Sequence, residues 1–195
     1  MAQVWNWLLA NYLELFAFVT GVLGVWLTAR QNIWCWPLGL INVSLSLVVF
    51  YFSKLYADVS LQVFYLVMTV YGWVNWKRGG ANHGRLQIRG FHKWELYMIF
   101  PLGFAATALV GWNFASFTDA ALPYMDSLVA VWGVLGTWVM ARKVIWHWLI
   151  WIINDLICVG IYAYKELYFF TALYFIFTLL AVYGWIQWNK EWKKG

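Results

Sequence analysis

Charged residues are scarce in this chain. Only 11% of its 195 residues are charged, with 8 carboxylates against 13 Lys or Arg side chains. Soluble domains carry about 25% charged residues, so a soluble enzyme of this composition would leave large apolar patches in water. Disorder is excluded as well, because disordered chains combine low hydrophobicity with high charge. The scarcity of charge therefore indicates a membrane protein.

Cysteine and histidine are also few. The two cysteines, Cys35 and Cys158, lie within apolar runs and are predicted to be small buried side chains rather than a disulfide. The three histidines lack the spacing of metal ligands, and the deep apolar segments contain no Ser-His-Asp or His-Glu cluster. We therefore expect no bound metal and no other cofactor, and the chain is not expected to be an enzyme.

Long apolar runs dominate the sequence instead. Hydrophobic residues make up 64% of the chain and aromatic residues 22%, and the mean hydropathy is +0.66. A helix needs about 20 apolar residues to cross the hydrocarbon layer. Seven segments meet this length and are predicted to span the membrane as helices: residues 12–29, 33–52, 58–76, 92–112, 125–141, 145–163 and 169–188. Their apolar runs are continuous rather than alternating, which favours helices over barrel strands.

The chain repeats itself at an offset of 112 residues, without a gap. The run from Gly21 to Trp26 matches the run from Gly133 to Trp138, and residues 71–76 match residues 183–188. Across residues 19–76, 21 of 58 positions are identical to their counterparts. Gly, Arg and Asn are aligned as well as the common apolar residues, so the sequence indicates a duplication.

Each repeat contains three predicted helices, and the segment between the repeats adds one more. That extra helix would reverse the second repeat, so that both repeats run in the same direction through the membrane. The predicted fold is an all-α membrane protein with seven helices in a 3+1+3, SWEET-like arrangement. Its parts are residues 12–76 as the first repeat, residues 92–112 as the linking helix and residues 125–188 as the second repeat.

The basic residues predict an orientation. Eleven of the 13 Lys and Arg residues lie on the face that carries the first, third and fifth connections and the C-terminus, and only Lys54 and Lys165 lie on the other face. The positive-inside rule places the basic face in the cytoplasm, so the N-terminus is expected outside and the C-terminus inside. This distribution explains the net charge of +5, and no nucleic-acid partner is expected.

Polar residues deep in the predicted helices are the first candidates for a binding site. Asn42 and Asn154 occupy equivalent positions in the second helix of each repeat, and the neighbouring Asp155 is the only carboxylate deep in any predicted span. Polar groups are costly inside a membrane and are typical of substrate pathways. The alternative for the two asparagines is a hydrogen bond between helices.

The third helix of each repeat carries a second group of candidates. Gln62, Tyr65, Thr69, Trp73 and Trp76 follow one another at steps of three or four and therefore lie on one face of the first repeat's helix. The corresponding face of the last helix carries Tyr174, Trp185 and Trp188, followed by Asn189. An aromatic belt at the membrane surface is the alternative for the tryptophans. We favour a belt or packing role for Trp73; for Trp185 and Trp188 we favour a substrate site, mainly because of the family resemblance given next.

These motifs resemble those of a known family. The run from Asn32 to Asn42, the Tyr-Gly-Trp at 71–73 and the closing run from Tyr183 to Asn189 are similar to those of the PnuC-type nicotinamide riboside transporters. The resemblance implies a multi-pass facilitator of the bacterial inner membrane, usually a homotrimer. It also implies a substrate trapped by a cytosolic riboside kinase, and a WxxW element in the last helix that maps onto Trp185 and Trp188.

The candidate residues suit that substrate chemically. Nicotinamide riboside is a flat cationic ring attached to a ribose, and indole faces attract cations by about 0.5–2 kcal/mol. Asp155 could balance the charge, while Asn42, Asn154, Gln62 and Tyr65 could bind hydroxyls or the amide. Thiamine is also a flat cation, so transport of thiamine or another vitamin-like substrate stays an alternative. A trimeric ion channel is a more distant one.

Overall fold

The structure is a computed structural model that describes residues 12–52, 54, 56–80, 84–119 and 121–194. These residues form seven α-helices, which confirms the predicted all-helical fold. They are α1 (Tyr12–Ala29), α2 (Cys35–Phe52), α3 (Tyr56–Arg78), α4 (Lys93–Phe117), α5 (Pro123–Ala141), α6 (His147–Tyr164) and α7 (Tyr168–Trp192). Helices α4 and α7 extend about one turn beyond their predicted ends. Both cysteines are buried and free, as predicted.

Five helices, α2 and α4 to α7, are long and apolar enough to cross a membrane. Helix α1 is also apolar along its sequence, and its stretch Phe18–Ala29 is an apolar helix. Helix α3 is long enough but less apolar, because it carries Gln62, Thr69 and Asn75 and ends in Lys77 and Arg78. The prediction of seven helices therefore holds, and five of them meet this standard within the residues that the structure describes.

Contacts between helices follow the internal repeat. Helix α1 packs on α7 and α3 packs on α5, and these contacts join the two halves of the chain. At the offset of 112 residues α1 corresponds to α5 and α3 corresponds to α7, so the two contacts are equivalent. Within each half, consecutive helices pack together, and α4 packs against α5.

The turns repeat as well. Left-handed backbone conformations occur at Gln31 and Lys143, with φ of 51° and 56°, and at Lys54 and Glu166, with φ of 60° and 58°. Residues other than glycine seldom adopt a positive φ. Both pairs are separated by 112 residues, so each half ends its first and second helices with the same local geometry.

The buried tryptophans cross-link the two halves in a reciprocal way. The Nε1 group of Trp76 donates to the carbonyl of Met140 at 3.1 Å, and that of Trp188 donates to the carbonyl of Thr28 at 3.1 Å. Trp188 and Met140 are the counterparts of Trp76 and Thr28 at the offset of 112. Each half therefore donates one indole hydrogen bond to the equivalent backbone carbonyl of the other half.

Two glycines allow another pair of tryptophans to pack closely. A Cβ atom on Gly72 would lie 2.1 Å from the ring of Trp36, and a Cβ atom on Gly184 would lie 2.4 Å from the ring of Trp148. Real Cβ atoms do not approach other atoms so closely, so both positions require glycine. This explains the Tyr-Gly-Trp motif that occurs in both repeats.

The connection between α3 and α4 lies against the end of the bundle that carries most of the basic residues. Arg89 exchanges backbone hydrogen bonds with the α5–α6 connection, donating to Lys143 at 3.2 Å and accepting from Ile145 at 2.9 Å. The Arg89 guanidinium also donates to both carboxylate oxygens of buried Glu95 at 2.7 Å. These bonds fix the start of α4 to the second half of the chain.

Candidate functional site

Buried polar side chains meet inside the bundle halfway along α6. Asn154 and Asp155 are each only 4% exposed. A Cβ atom on Gly133 of α5 would lie 2.7 Å from the hydroxyl of Tyr65 and 3.7 Å from Nδ2 of Asn154. Glycine at this position therefore lets α3, α5 and α6 bring their polar groups together. We call the group the polar cluster, and its members are Tyr65, Asn154, Asp155, Cys158, Tyr162 and Tyr174.

Asp155 is the acidic residue of the polar cluster. Cys158 and Tyr174 lie close enough to interact with this carboxylate. Among the described residues, no Lys, Arg or His lies within salt-bridge distance of it. Buried charges are costly unless they are paired. The equivalent position in the first repeat is Val43, so this buried carboxyl group is a specific feature of the second half.

Aromatic rings lie beside the carboxylate. The rings of Tyr162 and Tyr174 stack with their centroids 5.2 Å apart and their planes 16° apart, and the Tyr174 side chain lies beside Cys158. Tyr65 approaches the same thiol from α3. The cluster thus combines a carboxyl group, hydroxyl groups and aromatic faces, which is a suitable combination for a polar ligand with a cationic ring.

The two equivalent asparagines have different surroundings. Nδ2 of Asn42 donates to Oγ1 of Thr20 at 2.9 Å, which is a hydrogen bond between α2 and α1. Nδ2 of Asn154 donates to the carbonyl of Val129 at 3.3 Å, but its buried Oδ1 accepts no hydrogen bond from the residues that the structure describes. Both asparagines therefore join two helices, and Asn154 in addition has a buried acceptor without a partner among the described residues.

Trp188 lies at a different level, in a packed group of rings. Its side chain has no exposed surface, and its ring lies 4.7 Å from that of His147 and 5.7 Å from those of Trp148 and Trp76. We call this group the aromatic cluster: Trp36, Trp76, His147, Trp148 and Trp188. In this conformation Trp188 contacts protein on all sides.

The other predicted site residues do not converge on the polar cluster. Trp185 is half-buried and packs on Trp146, with their centroids 5.3 Å apart, so the two tryptophans of the WxxW element have different neighbours. Trp73 is 37% exposed on α3. Gln62 on α3 and Asn189 near the end of α7 are both half-buried. The structure thus brings together Tyr65, Asn154, Asp155 and Tyr174 from the predicted set.

Cys158 and Tyr162 are members of the cluster that were not among the predicted site residues, although the sequence places Tyr162 on the same helix face as Asp155. They lie three and seven residues after Asp155, which is the spacing of one helix face. That spacing is a signal in the sequence that could have found both. His147 and Trp148 of the aromatic cluster are harder to identify from the sequence. They lie at the apolar start of α6, where the sequence does not show which side chains face the protein interior.

A large apolar groove opens beside the polar cluster. It has a volume of about 750 Å³ and lies between α4, α5 and α6, with Phe100, Trp132 and Ile150 in its walls. Asn154 also lines it, so this residue lies between the groove and the cluster. Volumes of about 300–1,000 Å³ are typical of sites that hold small molecules.

Comparison with known proteins identifies relatives across nearly the whole chain. The family model described as "Nicotinamide mononucleotide transporter" matches residues 11–190. The nicotinamide riboside transporter PnuC of Escherichia coli K12 is 28% identical over 204 aligned positions, covering 91% of this chain and 85% of the relative. The riboflavin/roseoflavin transporter RibM of Streptomyces davaonensis is 24% identical, covering 95% of this chain and 84% of the relative.

A solved structure has the same fold. The crystal structure of the vitamin B3 transporter PnuC superimposes with a TM-score of 0.75, covering 99% of this chain and 87% of that chain at 22% identity. Together with the family match, this agrees with the resemblance inferred from the motifs.

Proposed function

Because the chain belongs to the nicotinamide mononucleotide transporter family of membrane proteins, we propose that it carries nicotinamide riboside for NAD synthesis. The observation that carries this choice of substrate is the buried carboxylate of Asp155, which has no cationic partner among the described residues. Nicotinamide riboside brings a fixed positive charge in a flat ring. Binding would therefore give Asp155 the cationic partner that it lacks among the described residues.

The other members of the polar cluster suit the rest of the molecule. The stacked rings of Tyr162 and Tyr174 offer an aromatic face to the pyridinium ring. Oδ1 of Asn154 and the hydroxyl of Tyr65 offer hydrogen bonds to the ribose or the carboxamide. Gln62 and Asn42 are proposed to line the same path farther from the ring.

The riboside is proposed rather than its phosphorylated form. A phosphate would require Lys or Arg partners inside the bundle, and the polar cluster contains a carboxylate instead. We infer that a cytosolic kinase phosphorylates the imported riboside, and that the added charge prevents its return.

We propose that the path runs between the two halves, with the repeats parallel in the 3+1+3 arrangement. The equivalent α1–α7 and α3–α5 contacts support this proposal. Trp185, Trp188, Asn189 and Trp73 lie toward the basic end of α7 and α3, which we propose is cytoplasmic. There Trp188 would shape the path from within the aromatic cluster, and Trp185 would contact the leaving substrate. We further propose a homotrimer in a bacterial inner membrane.

The proposed mechanism is facilitated diffusion without ion coupling. An ion drives transport only if it binds one conformation better than the other, and proton coupling usually uses a series of titratable groups. Asp155 is the single carboxylate among the described residues of the polar cluster, and no histidine accompanies it there. The arrangement favours a uniporter.

Competition binding to the purified protein tests the substrate. Labelled nicotinamide riboside should be displaced by unlabelled riboside far better than by nicotinamide, which lacks the ribose and the fixed charge, or by nicotinamide mononucleotide. Displacement by the mononucleotide at equal concentration would contradict the proposal.

Riboflavin is the second candidate substrate, because the relative RibM is named a riboflavin/roseoflavin transporter. Riboflavin is neutral and would leave the Asp155 charge unpaired, so we expect it to compete weakly. Thiamine is a flat cation like the riboside, so it is the competitor that tests the choice of substrate more stringently. If either displaces the label better than the riboside does, that vitamin is the substrate. Current steps in planar bilayers would indicate the channel alternative instead.

A further inference from the structure

A second, polar pocket lies at the basic end of the bundle. It has a volume of about 520 Å³ and forms where the α1–α2, α3–α4 and α5–α6 connections meet the end of α7. Arg30, Arg85 and Lys143 line it, together with Glu191 and Trp192. Three cations thus face one carboxylate, and Glu191 already accepts a hydrogen bond from Gln31.

Lys143 forms the base of this pocket and is only 7% exposed. Its Nζ donates to the carbonyl of Leu86 at 2.8 Å and lies 5.0 Å from the centroid of the Trp76 ring. Within the described part of the chain no carboxylate lies within salt-bridge distance of Nζ. Burial and the nearby Arg85 lower the pKa of Lys143 to about 8. A bound anion would offset both effects.

The pocket is separate from the polar cluster. Leu86 and Ile88 of the α3–α4 connection pack against the buried core that includes the aromatic cluster, and they close the pocket toward the interior. Asp155 lies about 12 Å farther along α6 than the residue that begins the helix. A cationic substrate would also be repelled by this pocket, so its ligand is a different one.

We propose that this pocket binds a phosphate monoester, carried either by a soluble metabolite or by a lipid headgroup. Guanidinium groups match phosphate oxygens in pairs, and a lysine adds a point charge. The volume is in the range of small-molecule sites, and its position at the basic end of the bundle gives access from water and from the membrane surface. The inference does not depend on which vitamin the polar cluster binds.

The test uses the full chain in phosphatidylcholine nanodiscs, with calorimetric titration of inorganic phosphate and glycerol 3-phosphate. Glycerol is the matched ligand without phosphate. The variant is Arg85→Gln, in an exposed part of the α3–α4 connection, and Arg78→Gln is the matched control on the same face outside the pocket. A second variant, Arg30→Gln, removes a different cation from the pocket.

Glycerol 3-phosphate should bind while glycerol does not, and Arg85→Gln and Arg30→Gln should each weaken binding at least about tenfold, as expected for one charge-assisted hydrogen bond. Arg78→Gln should bind normally. A lipid ligand would show instead as a higher melting temperature when phosphatidic acid is added to the nanodiscs, and Arg85→Gln should abolish this gain. The proposal is overturned if neither form of phosphate binds, or if binding is the same in Arg85→Gln as in Arg78→Gln.

Discussion

Replacing Asp155 with Asn is expected to remove the preference for a cationic ring. The amide has almost the same shape as the carboxylate, so packing in the polar cluster should be retained. Only the charge is lost. Comparing two ligands isolates the effect of that charge on binding. Nicotinamide riboside is a cation, whereas its reduced 1,4-dihydropyridine form is neutral.

The magnitude follows from the burial of Asp155, which is 4% exposed and has no cationic partner among the described residues. Opposite unit charges about 5 Å apart attract by about 3 kcal/mol at an effective dielectric constant of about 20. Desolvation of both charges cancels part of this attraction. We therefore expect affinity for the cation to fall by about 1–2 kcal/mol, or about five- to thirtyfold.

The assay is calorimetric binding of both ligands to the wild type, to Asp155→Asn and to Asp119→Asn. Asp119 is an exposed carboxylate in the α4–α5 connection, so its variant controls for the change in net charge. Asp155→Asn should weaken binding of the cation and leave the neutral form nearly unaffected, while Asp119→Asn should bind both normally. An equal loss for both ligands would show that Asp155 acts through hydrogen bonding or packing, and our reasoning about charge would be refuted.

Three further predictions concern the structure around the site. Trp188→Ala should lower the free energy of unfolding by about 3–5 kcal/mol, because it empties a fully buried position; a normal melting temperature would contradict the packed aromatic cluster. Gly184→Ala should cost about 1–3 kcal/mol through its clash with Trp148, whereas Gly160→Ala, with no atom within 4 Å of the added Cβ, should not; equal melting temperatures would contradict this. The pKa of Lys143 is about 8 in the folded protein against an ordinary value of 10.5, so the folded state binds fewer protons between these values and stability should rise with pH there. Lys143→Met should flatten that rise in thermal unfolding scans, and an unchanged slope would contradict the burial of the ammonium.

The helices and their repetition could be predicted from the sequence, because both depend on local runs of residues. Structural details that the sequence analysis did not predict follow the same offset of 112. Gln31 and Lys143 adopt the same left-handed backbone conformation in equivalent turns. Trp76 and Trp188 donate hydrogen bonds to equivalent backbone carbonyls. Asp155 was found for a different reason, since a carboxylate deep in an apolar run is conspicuous in any sequence.

The inward faces of the helices could not be predicted in the same way. Lipid tails are as apolar as a protein core, so a membrane helix has no clear stripe that separates buried from exposed positions. For this reason the sequence treats Trp185 and Trp188 alike, while the structure buries Trp188 fully and leaves Trp185 half-buried against Trp146. The α3–α4 connection carried no signal either, because its position depends on bonds from Arg89 to distant parts of the chain.

Uptake by proteoliposomes tests the central proposal most directly. The purified chain is reconstituted without a kinase, and labelled nicotinamide riboside is followed with and without imposed proton or sodium gradients. We predict saturable uptake that stops when the inside and outside concentrations are equal, whatever gradient is imposed. Uptake no faster than in liposomes without protein, or accumulation several-fold above the outside concentration, would contradict the account of a nicotinamide riboside uniporter.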